Sequence, residues 1–365
     1  MDSRERTFLS LSHQTGDRVP VDCWMSTGTK RKIKSAWKLS YDDFLDIYDI
    51  DIRYIDGPQY IGPNLANNNS RIIKDIWGVP REEIELKLVD GSSEYYREVL
   101  KSPLREYNTI EEILDYDHWP SPDWYDYSAI EKQCLNVKEQ GRIAAFMGDR
   151  LNRIAQLKPA MYLRGADQIL IDLLINKDIA KVIFRKIHDF YMEYGARILE
   201  AAKGKIDIFV SGDDFGGQDG LFISPELWTE FIEEGFRKFC ELAGNFDTYI
   251  MHHTCGSVRE LIPKMAEQGL SILQSIQPEA RGMEPQKLKD DFGDSLCFQG
   301  GISVQDVLPF KSPGDVKDHV KKVLKTIGKG GGYIACSSHN IQADTPLENI
   351  KTLFKAYKEH GLYTE

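Results

Sequence analysis

Residues 248–276 read TYIMHHTCGSVRELIPKMAEQGLSILQSI. A short apolar run (TYIM) is followed by a helical pattern over 257–268, and then by a second apolar run (SILQSI). Parallel strands covered by helices on their outer face lose the polar alternation of half-exposed strands and read as continuous apolar stretches. This segment therefore reads as one β-α-β unit. Moving outward, the same alternation recurs. RIAAFMG and IDIFVSG precede it as strands, and LCFQGG and GYIAC follow it. Helical patterns are expected over 167–203, 225–243, 285–291, 313–327 and 346–360. Near the start of the chain, residues 18–26 (RVPVDCWMS) read as the first strand, and Ser40 caps a helix over 40–48.

Repeated β-α units imply an α/β fold with a parallel sheet. An open doubly wound sheet lacks support, because no G-x-G-x-x-G follows an early strand. The expected architecture is a single (β/α)8 TIM barrel spanning residues 1–365, with an N-terminal extension. The stretch 71–107 breaks the alternation. Its runs IELKLVDGSSEYYREVL and the turn signals at Gly78-Val79-Pro80 and Asp90-Gly91 read as a small antiparallel insertion. The stretch 115–127 reads as an irregular loop.

The net charge of −11, with Lys and Arg interspersed among Asp and Glu, argues against nucleic acid and anionic membranes as partners. No apolar run approaches the roughly 20 residues of a membrane span, and MDSRERTF has no signal-peptide character. A cytoplasmic location is the expectation. The six cysteines are scattered through a long chain and read as free thiols or metal ligands.

In a (β/α)8 barrel the chemistry sits just past the C-terminal ends of the strands. Applied to these runs, that rule collects Asp213, Asp214 and Gln218 after IDIFVSG. It collects His253 and Cys255 after TYIM, Gln277 and Glu279 after SILQSI, and Gln305 after LCFQGG. After GYIAC it collects His339, Asn340 and Gln342, with Cys336 on the strand itself. A thiolate and an imidazole two residues apart on extended chain suit Zn²⁺, and a catalytic zinc site needs a third protein ligand and an open position. Cys336 and His339 are the candidates for that ligand. His252 reads as structural. Asp213 and Asp214 are candidates for a general acid, for substrate ligands or for partners of a metal-bound histidine. The glutamines, with Glu279 and Asn340, are candidates for binding a polar substrate.

Five segments together resemble the uroporphyrinogen decarboxylase superfamily: GDDFGGQDGLFISPELWTEFI, HHTCGSVRELIPKMAEQG, QPEARGMEPQKLKDDFGD, FQGGISVQDVLP and GGYIACSSHNIQADTPLENI. RERTFLSLSHQTGDRVPVD is similar to its N-terminal segment. The resemblance implies a (β/α)8 barrel. Within the superfamily, the decarboxylases carry an N-terminal arginine pair and an aspartate ahead of a V-P-Q-like segment. Here the first strand ends in DCWMSTG, and Arg53 stands at the aspartate's place. The zinc-dependent methyltransferases carry H-x-C, which His253 and Cys255 match, and a further ligand six residues before a Thr-Pro. His339, six before Thr345, fits that spacing, with Cys336 as the competitor. The resemblance thus implies a methyltransferase moving a methyl group between a small methylated compound (such as a methyl ether) or a thiol and a corrinoid protein, with Zn²⁺ and the partner's corrinoid as cofactors. The alternative is a metal-free decarboxylase of an acidic substrate. A homodimer is compatible with either.

Overall fold

The computed structural model describes residues 1–65, 71–88, 90–148 and 153–363. Among the described residues there are twelve strands: β1 (Ile52–Tyr54), β2 (Gln59–Tyr60), β3 (Ile72–Lys74), β4 (Pro80–Lys87), β5 (Ser93–Val99), β6 (Tyr125–Asp126), β7 (Ile143–Phe146), β8 (Ile208–Gly212), β9 (Tyr249–His253), β10 (Ile272–Ile276), β11 (Cys297–Ile302) and β12 (Tyr333–Ser337). Seven of them form one parallel sheet in the order β1-β7-β8-β9-β10-β11-β12.

The ring is closed by residues 18–26. On one side Ala335 N–H donates to Pro20 O (2.8 Å) and Asp22 N–H to Ala335 O (2.9 Å). On the other, Asp51 N–H donates to Val21 O (2.9 Å). This segment was expected as a regular strand. It instead makes isolated bridges, parallel at Val21 and Met25 and antiparallel at Arg18 to Leu362; Pro20 has no N–H to give to a ladder. Eight strand positions thus close a barrel with helices outside it.

Strand alternation divides the apolar residues into two sets. Ile52, Ile143, Ala145, Ile208, Val210, Met251, Ile272, Cys297 and Ile334 fill the lumen. Their neighbours in sequence face outward and join the larger core under the helices. The helix Ser3–Leu11 lies across the N-terminal end of the barrel. Its Leu11 and Phe8 pack into the lumen cluster, and its Ser10 carbonyl accepts from Gly332 N–H (2.8 Å) at the start of β12.

Three expected helices are interrupted. The pattern over 167–203 is two helices, Ala166–Ile175 and Lys177–Ala202, that meet at Asn176. That over 225–243 is Pro225–Phe231 and Glu233–Gly244. That over 257–268 reduces to a 3₁₀ turn, Arg259–Leu261, and the helix Ile262–Glu267, whose second residue is Pro263. Proline is accepted in a first helical turn and blocks continuation from upstream. The insertion is present as an antiparallel sheet, β3-β4-β5. The expected loop 115–127 ends in a short strand, β6, paired with β2. No helix among the described residues is long and apolar enough to cross a membrane.

Candidate metal centre

β9 carries two adjacent histidines to opposite faces of the barrel wall. His252 points outward: its Nδ1 lies 2.8 Å from Ser211 Oγ, and its ring stacks on Phe215. It is packed among the helices, in accord with a structural role. His253 points into the lumen one layer above Met251. Cys255 follows on the loop. Gly256 then turns at φ +80°, and a Cβ there would meet Gly216 O at 2.3 Å. Only glycine lets the two loops approach so closely. Ser257 N–H completes the contact by donating to Gly217 O (2.7 Å).

His253, Cys255 and His339 each bring one ligand atom to a common point, and these atoms lie within 4.8 Å of one another. His253 Nε2 stands 3.5 Å from Cys255 Sγ. Tetrahedral zinc, with Zn–N of about 2.0 Å and Zn–S of about 2.3 Å, sets an N···S separation of roughly 3.6 Å. The donor set and this spacing therefore fit zinc. His253 Nδ1 is hydrogen-bonded to Gln274 Oε1, which fixes the tautomer that leaves Nε2 free to coordinate. Burial, reinforced by the Arg153 charge, holds His253 well below the usual imidazole range and so neutral. Burial, with Asp214 beside it, pushes the Cys255 thiol up to about 12. A bound cation would reverse that preference by stabilising the thiolate.

Asp214 borders this group. Its Oδ1 accepts from Cys255 N–H (3.0 Å) and lies 3.7 Å from His253 Nε2. Its Oδ2 pairs with Lys158 Nζ at 2.6 Å. Burial opposes ionisation of Asp214, but its pairing with the His253 ring, then the Lys158 ammonium and the Cys255 N–H, hold its carboxyl well below the usual carboxylate range.

Two of the sequence expectations need correction. Asp213 does not face the mouth. Its carboxylate accepts from the backbone N–H groups of Gln156 (2.5 Å), Leu157 (2.9 Å) and Lys158 (2.7 Å), capping the helix Leu157–Arg164. Its oxygens are thus taken up by backbone donors. Cys336 is not one of the converging donors. It shares the lumen face with Ile334, fully buried, and burial beside Asp22 and Cys23 holds its thiol well above the usual value.

The polar candidates separate by position. Gln277 is buried, and its Oε1 accepts from Gly256 N–H (2.8 Å), which shapes the loop after Cys255. Gln218, Glu279 and Gln305 are exposed, with Glu279 bonded to Ser303 Oγ. Asn340 and Gln342 are half-buried, and Gln342 Nε2 donates to Asn340 O (3.3 Å).

Several residues of the site were not anticipated. Trp24 stacks on His253 (ring centroids 5.5 Å apart, planes at 28°). Its indole N–H donates to Asp22 Oδ2 (3.0 Å), which also accepts from Tyr54 OH (2.6 Å) and Gln299 Nε2 (2.5 Å). Arg153 lies over the Trp24 ring, 5.4 Å from its centroid. The available signal was a polar residue inside an apolar strand. Asp22, Gln274 and Gln299 each break such a run.

The family model for uroporphyrinogen decarboxylase (URO-D) matches residues 154–360, more than half of the chain, including His253, Cys255 and His339. The chain belongs to the uroporphyrinogen decarboxylase family. Within that family its curated relatives include methylcobamide:CoM methyltransferase MtaA of Methanosarcina barkeri, present as two sequences. Each is 29% identical over 205 residues, covering 54% of this chain and 55% of the relative. The chain thus spans about half the length of the curated relatives it matches. A solved methyltransferase from Methanosarcina mazei superposes with a TM-score of 0.66 at 14% identity, over 98% of this chain and 99% of that one. At that identity the likeness concerns the fold, and it agrees with the barrel described above.

Proposed function

We propose that this URO-D family member is a zinc-dependent methyltransferase. It moves a methyl group between a small methylated compound or a thiol and a corrinoid carried by a partner protein. The observation that carries this reading is the convergence of His253, Cys255 and His339 at the mouth; the likeness to MtaA supports it. Those three side chains would hold the ion. Zinc bound there would supply Lewis-acid polarisation of an oxygen or sulfur atom of the substrate.

The protein's own groups do the rest. Gln274 fixes the His253 ring. Trp24 supplies an apolar face beside it and keeps water from that side. Asp214, held ionised by Lys158, would accept a hydrogen bond from an incoming hydroxyl or thiol at Oδ1. Methyl transfer needs the reacting atoms in near-attack contact, so the corrinoid protein would dock over the mouth. The decarboxylase alternative gains nothing from Arg53. Its guanidinium is bonded to Asp46 (2.7 Å) and to the carbonyl of Ile50 (2.6 Å), away from the mouth.

Metal analysis of purified protein, paired with methyl transfer from free methylcobalamin to a thiol, tests the proposal. About one zinc per chain is expected, lost in Cys255→Ala and His339→Ala together with activity. A zinc-free wild type, or full transfer by Cys255→Ala, refutes it.

A further inference from the structure

The β3–β5 insertion is fastened to the barrel at the loop that carries His339. Glu94, on β5, is only 2% exposed although it belongs to a peripheral sheet. Its carboxylate accepts from Ser26 Oγ, from Gly28 N–H (3.2 Å) and from Ala343 N–H (3.0 Å). Ser26 is the N-cap of the helix Thr27–Trp37. Ala343 lies four residues beyond His339. One buried carboxylate therefore ties together the insertion, the first barrel segment and the last. A buried charge persists only where its oxygens are satisfied, so this contact is specific.

Neighbouring contacts act in the same direction. Tyr96 OH, two residues along β5, donates to Gln342 Oε1 (2.9 Å). Lys32 Nζ donates to Ala343 O (2.6 Å) and pairs with Asp90 of the insertion at 3.2 Å. Arg31 lies over the Tyr95 ring. The rim is also shaped for Glu94: a Cβ on Gly28 would stand 2.7 Å from the carboxylate.

We propose that the insertion is a working part of the site, with Glu94 as a positioning residue that latches it to residues 340–345 and so fixes His339 for coordination. This role rests on the metal reading above. It makes the insertion more than a surface elaboration, since the third ligand's loop is held from outside the barrel.

Four variants in the full chain test it: Glu94→Ala, Glu94→Gln, Gly28→Ala and Tyr96→Phe, with exposed Glu85→Ala as control. Hydrogen exchange of residues 340–345 reads the latch without any metal. Zinc affinity by chelator competition, and the absorption spectrum of the Co²⁺-substituted protein, read His339. Glu94→Ala should speed exchange in 340–345, weaken zinc binding by roughly tenfold to a hundredfold and alter the Co²⁺ spectrum. Glu94→Gln should recover part of each. Gly28→Ala should reproduce the defect with Glu94 intact, and Tyr96→Phe should give a smaller one if the Glu94 variant fails to fold. Unchanged exchange in folded Glu94→Ala and Gly28→Ala overturns the latch. Faster exchange with unchanged zinc affinity overturns its role in positioning His339. A wild type that binds no metal removes the functional reading, while exchange still decides whether the latch exists.

Discussion

Replacing Asp213 by Asn should change how stability depends on pH. Asp213 is fully buried, and burial pushes its carboxyl from the ordinary 3.8 up to about 6, against the pull of three backbone N–H groups. A folded-state value above the unfolded one means that the native protein binds the proton more tightly. The ionised native form is therefore penalised above pH 6, and the penalty disappears as pH falls through 6 toward 3.8. The size of the rise corresponds to about 3 kcal/mol. Asn keeps one acceptor oxygen for the N-terminus of the helix Leu157–Arg164 and has no charge to bury, so its contribution is flat with pH. Urea unfolding of both proteins between pH 8 and pH 4, taken as the difference between them, isolates this group from the other titrations. The wild type should gain on Asp213→Asn by about 2.4 kcal/mol across that range, since at pH 4 the unfolded carboxyl is still partly ionised. Parallel stability curves would show that the Asp213 oxygens are not confined as described, and the assignment of this residue to helix capping would fall with them.

Gln274→Leu should preserve the barrel but release the His253 ring, lowering zinc affinity by roughly tenfold to a hundredfold in chelator competition. Cys336→Ala should leave metal content unchanged, since that thiol does not join the ligand group; loss of zinc would restore Cys336 as a ligand. Arg164, buried against Asp172 and bonded to the carbonyls of Leu104, Arg105 and Tyr107, ties the end of the insertion to the barrel. Arg164→Ala leaves Asp172 buried without its cation, with the Gln168 and Asn176 amides still on Oδ1, and should cost about 3–5 kcal/mol, read as a lowered urea midpoint. Arg105→Ala should raise the exposed Asp167 carboxyl from about 2 part of the way toward the ordinary aspartate value in an NMR titration, the backbone N–H groups of Asp167 and Gln168 keeping the remainder, with little effect on stability.

The apolar runs made the barrel legible, because each parallel strand is covered on both faces and shows no alternation. The rim rule likewise singled out His253, Cys255 and His339, whose ligand atoms converge, since residues at strand ends often open onto the mouth. It does not separate groups whose direction depends on the rest of the chain. Asp213 and Asp214 are adjacent, yet one caps a helix that begins 56 residues earlier in sequence and the other meets Lys158. Nothing local separates those outcomes. Gln274 and Asp22 lie inside strands, where the rule does not look. Pro20 and Pro263 were visible in the sequence, but what each displaced, a ladder and a first helical turn, became evident only once their neighbours had positions.

The helix Ser3–Leu11 has a consequence for traffic. It stoppers the far end of the barrel, with Phe8 and Leu11 wedged beneath the aliphatic layers. Under the proposed function, both the small substrate and the corrinoid would use the one end left open beside His253, so their order of arrival would be coupled.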